Sequence, residues 1–181
     1  MKPLKTLLPA LALLLLAGCE RDMDPVEFND ALEGYNRRLA AAALEFKSKV
    51  IPVAEGNAPD VAAIEAIYRK LVETVDDVRK RFGQLNVPKD SKPMQDFRDA
   101  YDRFLTVQES LVKVNFQAIA TIAASPQVAP DVKKVQILGN FAAIKAAEDR
   151  ERKTLQAAQD QFAKDVGIRL IDDRKDPNAF K

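Results

Sequence analysis

One stretch of the chain leaves little freedom of fold. Val61, Ile64, Tyr68, Leu71, Val75, Val78, Phe82 and Leu85 follow one another at steps of three and four without a fault. That spacing lines all eight along one stripe of an α-helix, whereas a strand would send alternate residues to opposite faces. A stripe sustained in this way is a heptad seam, as in a coiled coil. It has to be covered by other helices crossing at shallow angles.

The rest of the chain supplies those helices. Asp24-Pro25-Val26-Glu27 is a helix start, with Asp as N-cap, Pro at the first helical position and Glu closing a capping box. Phe28, Leu32, Tyr35, Leu39, Ala43, Phe46 and Val50 follow on one face. The helix is expected to stop near Glu55, at Gly56, with Pro52 bending its last turn. After the break NVPKDSK, a third helix starts around Ser91 to Pro93 and runs through Met94, Phe97, Tyr101, Phe104, Leu111, Ala118 and Ile122. After the break SPQVAP, a fourth carries Val135, Leu138, Phe141, Ile144, Leu155, Phe162 and Val166. The tetrapeptide Ala58-Pro59-Asp60-Val61 recurs as Ala129-Pro130-Asp131-Val132, at the start of helices two and four. Pro and Asp suit the first turn of any helix, so the repeat reads as two good starters rather than a duplicated hairpin. Four long amphipathic helices with short links predict an all-α fold, an antiparallel up-down four-helix bundle.

The beginning of the chain is of a different kind. Lys2 and Lys5 precede an apolar run from Leu7 to Leu16, and small residues lead to Cys19, the single cysteine. The run is too short for a transmembrane helix, which needs about 20 residues, and its three-part layout is that of a secretory signal. Leu16-Ala17-Gly18-Cys19 resembles the lipobox of bacterial lipoproteins. The resemblance implies cleavage before Cys19, a diacylglyceryl thioether on its sulfur, and acylation of the new amine, with palmitate the expected acyl group. Two or more chains anchor stably where one holds only marginally. The expected division is therefore a signal peptide at 1–18, lipidated cysteine and tether at 19–23, the bundle at 24–171 and a polar tail at 172–181. Glu20, in place of the Asp that marks inner-membrane retention in enterobacterial lipoproteins, tilts the expectation toward the outer membrane, facing the periplasm.

Charge and composition exclude more than they specify. The chain has 28 Lys and Arg against 27 Asp and Glu; losing Lys2 and Lys5 with the leader leaves 26 against 27. Such a balance gives no electrostatic footprint for nucleic acid. There is no histidine, which removes His-based zinc, haem and general-base chemistry, and also the Glu-x-x-His pattern of di-iron bundles. No nucleophile elbow or phosphate loop occurs. The expectation is no metal, no cofactor and no enzyme activity.

One constellation stands out. Gln108 and Asn115 sit on the third helix's seam where apolar residues are wanted, and Glu148 and Glu151 lie between Ile144 and Leu155 on the fourth. In a hairpin of these helices, Gln108 lies level with Glu148, and Asn115 with Gly139 and Asn140; Lys70 falls near the height of Gln108. Gln108, Asn115, Glu148 and Lys70 form either a polar layer that fixes helix register or the polar wall of a small ligand site. The expected function is binding of an envelope protein partner by a membrane-anchored interaction module. The alternative is a bundle holding a small apolar or amphipathic ligand, and the last is a carboxylate-dependent enzyme.

Overall fold

The computed structural model describes residues 22–170, which fold into four helices with no strand among them. The signal peptide, Cys19 and the tail 172–181 lie outside the described residues. Helix α1 is Pro25–Ala54 and α2 is Val61–Gly83. Helix α3 has three consecutive parts: Lys92–Leu111, a π-helical turn Val112–Phe116, and Gln117–Ala124. Helix α4 is Pro130–Val166. No described helix is long and apolar enough to cross a membrane.

The ends follow local chemistry. Asp24 Oδ1 accepts from the N–H groups of Val26 and Glu27, each at 2.9 Å, and Glu27 returns an acceptor to the Asp24 N–H. This is a complete capping box. Beyond Ala54, Gly56 takes a φ of 99°, which lets the Asn57 N–H turn back to the Pro52 carbonyl at 3.0 Å. At the end of α4, Gly167, at φ 73°, does the same and brings the Ile168 N–H onto the Ala163 carbonyl at 3.0 Å. The two Ala-Pro-Asp-Val copies play different parts. Asp60 is the N-cap of α2 and accepts from Ala63, whereas in the second copy Ala129 is the N-cap, Pro130 is the first helical residue and Asp131 makes no cap bond. Equal letters one residue out of step favour two separate starters over a duplicated hairpin.

Successive helices pack side by side and α4 closes the ring against α1, while α2 and α4 face each other diagonally without meeting. The Met23 N–H donates to the Asn86 carbonyl at 3.1 Å, so the chain start and the link from α2 to α3 share one end. The other two links share the opposite end, where Gly56, Pro59, Pro126 and Pro130 border one depression. Two aromatic clusters fill the core. Phe28, Phe97 and Phe162, with centroids 5.0 to 6.0 Å apart, sit toward the chain-start end. Phe46, Phe116 and Phe141 sit toward the other.

Two seams depart from expectation. In α2, Ile67 joins the buried row while Val61 is exposed. In α4, Val135 and Leu138 are 71% and 43% exposed, and Ile137 and Lys133 are buried in their place. Counting back from Phe141 by three reaches Leu138, and by four reaches Ile137. The bundle takes the second course because the Lys133 stem then lies along α3 and its Nζ donates to the Ala123 carbonyl at 3.0 Å. That bond satisfies a terminal carbonyl of α3 that would otherwise lack a partner.

Candidate functional site

Between the two aromatic clusters lies a cavity of about 220 Å³. Helix α1 lines it with Asn36, Leu39, Ala40 and Ala43, and α2 with Leu71 and Val75. Helix α3 contributes Phe104, Gln108, Val112 and Phe116, and α4 contributes Glu148, Arg152 and Leu155. The α1 residues fall at steps of three and one, a single helical stripe. Ala40 and Ala43 are small, and they leave space opposite α4. Ala40 and Arg152 are exposed, which places the mouth between α1 and α4. There an outer groove shares Ala40, Ala43, Phe116 and Glu148 with the cavity and adds Lys47 and Lys145 at its rim.

The α3 wall depends on the π turn. Residues 104, 108, 112 and 116 are spaced by four, and in an α-helix each such step overshoots a full turn by about 40°. The wider turn carries a bond from the Gln117 N–H to the Val112 carbonyl, five residues back, and rewinds that drift. Phe116 thereby stays in file with Gln108 and Val112. The register beyond it shifts as well: Ile119 and Ala123 are fully buried, while Ala118 and Ile122 of the expected seam are only half-buried.

Two of the four expected polar residues share this cavity. Gln108 is 8% exposed. Its amide bonds to no other described residue and stays open to the cavity, since no side-chain polar atom here is both enclosed and unbonded. Glu148 is half-buried and likewise has no hydrogen-bonding or ionic partner among the described residues. Its carboxyl is held above the ordinary carboxylate range, chiefly by burial and further by the Asp149 charge, against the pull of Arg152 and Lys145. Those two cations are engaged elsewhere: both pair with Asp149, whose pKa they lower. Gln108 and Glu148, levelled by the hairpin, do not bond to each other; both line the cavity instead.

The other two residues lie elsewhere. Lys70 reaches the surface, where its Nζ donates to Glu45 at 2.6 Å. Its place on α2, one residue before the cavity-lining Leu71, turns it away from the interior. Asn115 is set aside by the π turn, and its Nδ2 donates to Asn140 Oδ1 at 3.2 Å, tying α3 to α4.

Sequence reasoning missed Asn36 and Arg152, and also a second polar layer. Asn36 Oδ1 accepts from the buried Tyr101 hydroxyl at 3.0 Å; its signal was its place four residues after Leu32 and three before Leu39. In the second layer, the Gln159 amide donates to Asn29 at 2.7 Å and to Glu33 at 3.2 Å, and Asn29 donates to Glu33 at 3.3 Å. Comparisons of the chain with protein-family models, curated proteins and solved structures find no match.

Proposed function

We propose that this chain is a lipid-anchored, periplasm-facing binding bundle that holds a small amphipathic molecule in the cavity between its helices. One contrast carries the reading. Buried polar groups are normally bonded, and an unbonded one calls for an explanation. Asn29 and Lys133, the other buried polar residues, are bonded to protein. Gln108 turns its amide to a cavity that is otherwise mostly apolar, beside an equally unpartnered Glu148. An apolar pocket with a few convergent polar groups is the usual form of a small-molecule site. Attachment rests on Leu16-Ala17-Gly18-Cys19; with Cys19 four residues before Met23, the end bearing Asn86 would face the lipid, and the cavity would open sideways from the bundle.

The test is ligand-detected NMR of the full chain in phosphatidylcholine nanodiscs with 2-phenylethanol, a neutral probe of suitable size. Binding is expected in the wild type and lost in Ala43→Leu, which fills the cavity mouth. Equal signals from both proteins would refute the reading. A second reading, binding of an envelope protein partner, has its own observation: Val132, Val135 and Leu138 form an exposed apolar row on the first turns of α4, at the end away from the chain start.

A further inference from the structure

We infer that the cavity is selective for cationic amphiphiles, with an ammonium group seated against the Glu148 carboxylate and the Gln108 amide oxygen. The inference rests on the ligand-holding reading and names the charge of what is held. Glu148 is the one acidic side chain lining the cavity, and the only cation lining it with Glu148, Arg152, is already paired with Asp149. A desolvated carboxylate is expensive unless a charge partner reaches it. Arg152 and Lys145 act on Glu148 only from a distance and no described group pairs with it directly, whereas an entering ammonium would. The walls agree: Phe104 and Phe116 present aromatic rings, whose faces attract cations and repel anions. A carboxylate ligand would meet those rings and an acid, and the one cation in the lining, Arg152, is already paired with Asp149.

The groups facing Glu148 can be set out by element. On α4 itself they are Arg152, Asp149 and Lys145; across the outer groove α1 brings Lys47. Helix α3 brings the uncharged Gln108, and α2 only apolar side chains. Burial favours the protonated acid in the free protein. A bound ammonium favours the carboxylate and so acts against the effect of burial.

A matched set tests this on the full chain in phosphatidylcholine nanodiscs: 2-phenylethylammonium, 2-phenylethanol and phenylacetate, titrated calorimetrically. The ammonium ion is expected to bind at least about tenfold tighter than the alcohol, a difference of about 1.4 kcal/mol. Glu148→Gln should erase that preference. If the alcohol or the phenylacetate binds as well as the ammonium, or if Glu148→Gln leaves the preference intact, the charge assignment is wrong while the ligand-holding reading survives. If none of the three binds, both fall.

Discussion

Replacing Gln108 by Leu separates two accounts of the bundle by the sign of one number. If Gln108 were bonded across the seam to Glu148, the substitution would leave a charged group unsatisfied and cost about 1–3 kcal/mol. In the structure Gln108 is 8% exposed, and its amide bonds to no other described residue. Burial of an unbonded amide is itself worth about 1–3 kcal/mol of destabilisation in mutational data. Because the amide opens on a cavity that admits solvent from its mouth, the lower end applies. Gln108→Leu is therefore expected to raise stability by about 1 kcal/mol. Urea unfolding followed by circular dichroism reads this as a higher midpoint at unchanged slope. Asn29→Leu is the internal control: it removes the bonds that Asn29 makes with Glu33 and Gln159 and should cost about 1–3 kcal/mol. A loss of more than about 1 kcal/mol in Gln108→Leu, comparable to the control, would show that the amide has a structural partner and that the argument from an unpartnered Gln108 fails.

Three further outcomes are expected. Leu71, 2% exposed at the cavity wall, should cost about 2–5 kcal/mol on truncation to Ala; an unchanged urea midpoint would place that face in solvent. Because burial keeps the Glu148 pKa above its unfolded value, the folded chain retains a proton that the unfolded chain has lost, and stability falls as pH rises between the two values and then levels. Glu148→Gln should therefore raise stability above that window and change nothing below it, and an identical pH profile for both proteins would contradict the assigned burial. Cys19→Ser should abolish acylation and membrane retention, and mass spectrometry of the mature wild-type N-terminus would disprove the lipobox reading if it found an unmodified cysteine or another cleavage site.

The legible parts of this fold are those set by local chemistry and by unbroken periodicity. Asp24 and Glu27 spelled out a capping box, Gly56 a stop, and the α2 row from Ile64 to Phe82 a buried seam; each depends only on neighbours within a turn or two. Seams broken by polar residues were harder. Between Leu111 and Ile122 an α-helical count placed Asn115, Ala118 and Ile122 inward, because nothing local in VKVNF announces a π turn. At the start of α4 two counts were equally regular, and what decided between them was a tertiary bond, Lys133 to the end of α3. The candidate site was half legible for the same reason. Gln108 and Glu148 could be levelled by hairpin geometry. Whether they met, or stood apart across a cavity, depended on the rotation of α3 and on the small side chains of Ala40 and Ala43 on a different helix.

The π turn links these points, and it shows what the sequence had to resolve. Continued as an α-helix past Gln108, α3 would bring Asn115 onto the seam and swing Phe116 away from it. Phe116 would then lose Phe46, 5.2 Å away, and Phe141, 6.4 Å away, and a buried asparagine would need a partner in the core. One extra residue in the turn removes both faults: Phe116 enters the core and Asn115 moves to the flank, where Asn140 accepts its amide hydrogen. The loosened Val112 carbonyl gains a second donor in the Tyr68 hydroxyl at 3.5 Å. Packing beyond the turn thus accounts for its presence without any ligand. It does not account for Gln108, which precedes the turn and would face inward in either register. A leucine there would pack against the same neighbours without placing an amide at the cavity wall. The irregular backbone therefore belongs to the folding problem, whereas packing leaves the unpartnered amide and carboxyl unexplained, and it is these that the proposed ligand site would explain.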